Sequence, residues 1–269
     1  MQGTDYLQAL VLGIVQGIAE FLPISSSGHL VICGAMWQKL AGSSASAQKD
    51  LALNVALHVG TLFSILWVYR RDLWALAKNA RLCLAVAVAT VPAAVVGLAF
   101  EDRLAGAFAT PLVAGFGLLV TAALLVLGQR LDRGDRPLEQ ISALEALAIG
   151  AFQAIALLPG ISRSGSTISG GMFTGLKRDA AATFSFFIAI PAIGGAAALT
   201  FRDVVVQGTM PENPGPLLLG AATSFLVGVV ALRGLLRVIS QRKLHWFAAY
   251  CVAAGAATIA WQLAERFAI

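Results

Sequence analysis

The chain has 269 residues, of which 58% are hydrophobic and only 12% charged, with a mean hydropathy of +0.80. Soluble domains carry about 25% charged residues, so roughly half the charge needed to cover a water-facing surface is present. Soluble enzymes, fibres and disordered chains are excluded and an integral membrane protein is predicted. The net charge of +5 sits in short connections between apolar runs, not on a face that nucleic acid would need.

Residues 1–10 lack a basic region and a small-residue cleavage site, so no removable signal peptide is expected. Tyr6–Leu40 is apolar but is interrupted by Pro23–Gly28 and carries Glu20 and His29. A spanning helix needs about 20 apolar residues, and charge-free runs of that order follow at Leu51–Tyr69, Leu82–Phe100 and Leu104–Gln129. A second interrupted region, Ala146–Leu176, is broken by Pro159–Thr167, and three more runs follow at Ala180–Phe201, Asn213–Leu232 and Leu244–Ala264. Strands cannot satisfy their backbone in lipid unless they close a barrel, so the spans are helical. Each interrupted region predicts a re-entrant helix-turn-helix hairpin, buried in protein or lining a polar cavity.

The interrupted regions are copies. A shift of 137 superposes Gly13 on Gly150, Gln16 on Gln153, Ser25 on Ser162 and Gly28 on Gly165, with 10 identities over the 20 positions 9–28. The expected fold is all-α: six transmembrane helices and two re-entrant hairpins, built from a repeat of about residues 1–137 and another of about 138–269. Three spans per repeat is an odd number, which inverts the second copy. Loop cations divide twelve (Arg70, Arg71, Lys78, Arg81, Arg130, Arg133, Arg136, Lys177, Arg178, Arg237, Arg242, Lys243) against five (Lys39, Lys49, Arg103, Arg202, Arg266). The first group marks the cytoplasmic face, so both termini are expected outside and the two turns meet near mid-membrane. Cys33, Cys83 and Cys251 read as small hydrophobes. Trp67, Tyr69, Trp74, Trp246 and Trp261 read as interface anchors, and His245 as interfacial.

Glu20 and Arg163 are ionisable groups inside apolar regions, where a mid-bilayer charge costs about 2.5–3.5 kcal/mol and calls for a partner or a function. They lie in opposite repeats and are placed to face each other. Gln16 shares a helix face with Glu20, and this carboxylate–amide pair suits a divalent cation or proton transfer. Ser25, Ser26 and Ser27 precede a helix start, with His29 next to them. Ser162, Ser164, Ser166 and Thr167 surround Arg163, and Gly160 and Gly165 admit close backbone approach. Arg offers a planar fork of donors, and two helix N-termini add N–H groups, so a phosphorylated ligand is expected at this point. Ser26 is the nucleophile candidate, His29 or Glu20 the acid or base, and Arg163 the clamp. His58, in mid-span, reads as a buried, hydrogen-bonded packing residue.

These residues closely resemble the undecaprenyl-diphosphatase family of bacteria, the bacitracin-resistance type. One signature is Gln16-Gly-Ile-Ala-Glu20 leading into Pro23-Ile-Ser-Ser-Ser-Gly-His29; the other is Pro159-Gly-Ile-Ser-Arg-Ser-Gly-Ser-Thr167. Gln16 takes the amide alternative where some members carry Glu. The resemblance implies hydrolysis of undecaprenyl diphosphate to the monophosphate and phosphate, recycling the lipid carrier for peptidoglycan and other envelope polymers. It further implies a divalent cation, Mg or Ca, at Glu20 and Gln16, and an inner-membrane enzyme, compatible with a homodimer, whose site opens to the periplasm. Glu20, Ser26, His29 and Arg163 carry over as the catalytic set, and Ser25, Ser27, Ser162, Ser164, Thr167, Gly160 and Gly165 as diphosphate binders. Serine and a His29-activated water both stand as nucleophile. The rival reading is a secondary transporter or flippase for a phosphorylated lipid, because inverted repeats with broken helices serve that class too.

Overall fold

The computed structural model describes residues 2–41, 47–108, 110–132, 134–206 and 213–267. Twelve α-helices appear in chain order among them: α1 (Gln2–Ala19), α2 (Ser26–Ala41), α3 (Ala47–Val68), α4 (Arg70–Ala77), α5 (Ala80–Ala99), α6 (Glu101–Phe108), α7 (Pro111–Leu131), α8 (Ala143–Ile155), α9 (Arg163–Phe173), α10 (Arg178–Val206), α11 (Gly215–Ser240) and α12 (Leu244–Phe267). Six of these, α3, α5, α7, α10, α11 and α12, contain stretches long and apolar enough to cross a membrane. The protein is a multi-pass, all-helical membrane protein. Large apolar side chains such as Leu98, Leu218, Leu226 and Val230 stand exposed on its outside, as lipid contact requires.

The third span differs from expectation. It begins at Pro111, not Leu104, because Glu101–Phe108 forms the separate short helix α6. Pro111 has no N–H to bond back into a preceding turn and suits a helix start. Tyr69 also departs from its expected role: it is buried and packs on Phe186 and Phe187, so it belongs to the core. Trp67, Trp74 and Trp246 are exposed, and Trp261 is half-buried with its indole N–H donated to Glu265. Arg133 lies outside the described residues.

Small residues set the helix packing. Ala or larger at Gly13 or Gly17 in α1 would meet the backbone of α11, and at Gly150 in α8 would stand 2.4 Å from the Ala89 carbonyl of α5. Gly60 of α3 meets Ala221 of α11 at 2.3 Å in the same sense. Such close backbone approach gains dispersion contacts where lipid removes the hydrophobic drive between helices. α1–α2 and α8–α9 are thereby fixed between spans, each pair joined by a short turn.

The two turns touch. A Cβ at Gly28 would lie 2.8 Å from Gly160 Cα, and Ser164 Oγ donates to the Leu22 carbonyl at 3.4 Å. Their caps match: the Gly28 N–H donates to Ser25 Oγ at 3.2 Å and the Gly165 N–H to Ser162 Oγ at 3.1 Å. Each is the side-chain cap that a helix start prefers. The left-handed residue differs, being Ser25 (φ 71°) in the first turn and Gly160 (φ 89°) in the second. Thr121 of α7 holds the second turn from outside, donating to the Gly160 carbonyl at 2.9 Å and accepting from the Ser162 N–H at 2.8 Å.

Candidate active site

Glu20 directly follows α1 and opens the turn after it, and Ser26 and Arg163 are the first residues of α2 and α9. Two helix starts therefore bring their side chains to one carboxylate. Arg163 Nη2 donates to Glu20 Oε1 at 2.8 Å, and Ser26 Oγ donates to Glu20 Oε2 at 2.7 Å. Gln16 Nε2 donates to the same Oε2 at 3.1 Å from one helical turn earlier. The ion pair is well shielded, with Glu20 6% and the Arg163 side chain 16% exposed. Arg163 is held further by the Ser185 carbonyl at 3.3 Å and by the Phe186 ring beneath its guanidinium, 5.6 Å to the centroid. Partners on three sides fix the fork before any ligand arrives.

Glu20, Ser26 and Arg163 line a cavity of about 320 Å³. Its polar end carries Glu20, Ser25, Ser26, Ser27, His58, Gln153 and Arg163, while Val55, Ala93, Ala192, Ile193, Ala196 and Leu157 form apolar walls. A polar end with one fixed cation, opening into an apolar slot between helices, fits an amphiphile with an anionic head.

The expected residues divide. Glu20, Ser25, Ser26, Ser27 and Arg163 come together on the cavity. Ser162 and Ser164 are buried and spend their hydroxyls on the second turn, at 3.2 Å from each other. Thr167 Oγ1 donates to the Arg163 carbonyl at 2.8 Å and meets Ser185 Oγ at 2.5 Å, tying α9 to α10. With Gly160 and Gly165 these residues build the turn that aims Arg163 and are not among the residues lining the cavity. His29 also faces elsewhere. Its Nδ1 lies 2.7 Å from the Ser25 carbonyl and its Nε2 2.7 Å from Tyr250 Oη, with the rings stacked. The first contact requires the proton on Nδ1, and Nε2 then accepts from Tyr250. His29 braces the left-handed Ser25 and is not among the residues lining the cavity.

His58 is the reverse case. It lines the cavity, its Nδ1 bonds the Asn54 carbonyl at 2.8 Å, and its Nε2 stands 3.9 Å from Glu20 Oε2. The readable signal was Asn54 and His58 four apart in an otherwise apolar span. Gln153 could have been found as the counterpart of Gln16. Thr121 carried no signal of its own.

Among the described residues no cluster of three or more His, Cys, Asp or Glu is placed to hold a metal ion. Glu20 is the one carboxylate on the cavity, but the buried Gln16 Oε1 beside it has no hydrogen-bond partner. Gln16 does not itself line the cavity, so a Mg-type cation there would be held through the Glu20 carboxylate and completed by water and substrate phosphates.

Residues 9–257 match the family described as bacitracin resistance protein BacA. The chain is 45% identical to an undecaprenyl-diphosphatase of Rhodopirellula baltica, covering 93% of this chain and 96% of that one. It is 38% identical to undecaprenyl-diphosphatases of Alkaliphilus metalliredigens (95% and 98% covered) and Carboxydothermus hydrogenoformans (97% and 98% covered).

Proposed function

The chain belongs to the bacitracin resistance protein BacA family, and from that premise we propose that it hydrolyses undecaprenyl diphosphate to undecaprenyl phosphate and inorganic phosphate. The observation that carries this reading is the bonded set Glu20–Ser26–Arg163 at the polar end of an otherwise apolar cavity. A transporter site needs only to hold its anion, whereas a hydroxyl bonded to a buried carboxylate at 2.7 Å is a nucleophile with its base in place.

Arg163 binds oxygens of the terminal phosphoryl group with the donor face of its fork and counters the charge that develops on them. First-turn N–H groups of α2 and α9 add to that field. Ser26 Oγ attacks the terminal phosphorus as Glu20 Oε2 takes its proton. The Oγ–P bond forms, the bridging P–O bond breaks, and the lipid monophosphate leaves. Water then attacks the phosphoserine: its oxygen bonds phosphorus, the Oγ–P bond breaks, Ser26 Oγ recovers the proton that Glu20 holds, and both water protons leave with the inorganic phosphate, restoring both groups. Glu20 must remain ionised to act as base, and the Arg163 pairing favours that state. Glu20, with Gln16 beside it, would be the residue to hold a divalent cation, which would supply neutralising charge to the diphosphate.

The same reading places the protein in the bacterial inner membrane with both termini and the cavity mouth on the periplasmic side, recycling the lipid carrier of envelope polymers. Leu51 and Thr200 line the cavity, and both lie at span ends on the face with fewer loop cations. The matched cap bonds at Ser25 and Ser162 support an inverted repeat.

The test is inorganic phosphate released from undecaprenyl diphosphate by purified protein in detergent, with and without Mg²⁺ or Ca²⁺, with Arg163→Ala as the blank. Cation-dependent release that the variant lacks is expected. No release from folded protein with either cation would overturn the hydrolase reading and favour transport.

A further inference from the structure

We propose that Gln153 is an additional ligand of the substrate's diphosphate, its side-chain amide bonding phosphate oxygens at the polar end of the cavity. This rests on the hydrolase reading above. Gln153 is 2% exposed, lines the cavity with Glu20, Ser26 and Arg163, and has no hydrogen-bond partner for either Nε2 or Oε1 among the described residues. Buried side-chain amides are almost always bonded, and an amide with both ends unmade is an exception that needs a cause. Ser166 and Ser169 also have unbonded hydroxyls, but neither lines this cavity.

The cause is visible by comparison with Gln16, which stands 137 positions earlier at the end of α1. Gln16 Nε2 is occupied by Glu20, four residues on. Four residues after Gln153 stands Leu157, also on the cavity wall, which offers no acceptor. The two glutamines therefore do different work: one positions the carboxylate, and the other is left open toward the ligand. Gln153 cannot withdraw to find a partner, because Gly150 one turn before it is pressed against the Ala89 backbone. Its amide brings two N–H donors for phosphate oxygens and one acceptor for a water or a protonated phosphate oxygen. As a neutral donor it adds binding without a second cation beside Arg163.

Two measurements on Gln153→Leu test this, with Gln153→Met, which keeps the unbranched shape, in reserve should Leu fail to fold. The first is the thermal midpoint with and without farnesyl methylenediphosphonate, a diphosphate mimic that cannot be cleaved. The second is phosphate release from undecaprenyl diphosphate. Removing two unbonded buried atoms is expected to leave the ligand-free midpoint unchanged or higher. The stabilisation by the mimic should be largely lost, and kcat/KM should fall about 10–100-fold, the worth of one or two phosphate hydrogen bonds. A fall in the ligand-free midpoint together with activity would make Gln153 a packing residue and overturn the proposal, as would mimic binding equal to wild type. If wild type binds the mimic through Gln153 but releases no phosphate, the hydrolase reading fails and the ligand assignment stands.

Discussion

The Glu20–Arg163 pair permits a quantitative test of how the site is held. With 6% and 16% exposure and a 2.8 Å contact, each charge has little water to fall back on. Breaking a buried pair by removing one partner costs about 3–5 kcal/mol, because the other charge is stranded, while removing both charges together is often close to neutral. Glu20→Gln strands Arg163, and Arg163→Met strands Glu20; each is expected to cost about 3 kcal/mol or more. The double variant is expected to cost no more than either single change, giving a coupling at the upper end of the roughly 0.5–3 kcal/mol found for contacting residues. Unfolding in mixed micelles, followed by the fluorescence of the five tryptophans, reads the four proteins side by side. All three variants should lose phosphate release, since Glu20→Gln keeps the shape but cannot take the Ser26 proton, a loss of about 10²–10⁴-fold for a general base. Strictly additive costs would refute the claim that the pair is buried and mutually dependent.

Two further outcomes follow from the supports of the site. Thr121→Val removes both bonds that Thr121 makes to the second turn; leaving the Ser162 N–H and Gly160 carbonyl unmet should cost about 1–3 kcal/mol. It should also lower kcat, by up to about 100-fold if Arg163 moves by an ångström, although Thr121 does not line the cavity. Kinetics at saturating substrate with wild-type turnover would contradict this. Glu145, in the first turn of α8 and outside the six spans, is pushed up by partial burial. The bond from Arg136 and those from the Ser142 N–H and hydroxyl outweigh that and hold it below the ordinary carboxylate value. Its contribution to stability is therefore present above that ordinary value, about 4.3, and is lost as pH falls through the lower folded value. The thermal-midpoint gap between wild type and Glu145→Gln should be constant near neutrality and close only on acidification below about pH 4. A gap independent of pH would refute the assignment.

Much of this architecture was legible because lipid imposes simple rules. Charge-free runs of sufficient length gave the six spans, and the Pro, Gly and Ser clusters at 23–28 and 159–167 gave the two turns. Two ionisable residues in apolar surroundings required partners, and Glu20 and Arg163 proved to be each other's. What was not legible depends on which face a helix turns toward a distant neighbour. His29 is three residues from Ser26, yet it points to Tyr250, 221 residues away. Whether it faced the cavity was decided by how α2 packs beside α12. Tyr69 stands at a span end but meets Phe186 and Phe187 of α10, so burial overrode position. The serines around Arg163 looked like ligands because hydroxyls suit phosphate equally well. The turn used them as caps and ties, a demand visible only once the two turns were in contact. The start of the third span was in principle readable from Pro111, whose preference for a first helical turn competes with the apolar run around it.

The central claim is that Ser26, with Glu20 as its base, receives the terminal phosphoryl group. Undecaprenyl diphosphate labelled with ³²P in its terminal phosphate, mixed with enzyme and quenched in acid within a single turnover, addresses it directly. The account predicts label bound to the wild-type protein and located at Ser26 by peptide mapping, with neither bound label nor phosphate release in Ser26→Ala. Phosphate release by folded Ser26→Ala at the wild-type rate would contradict it.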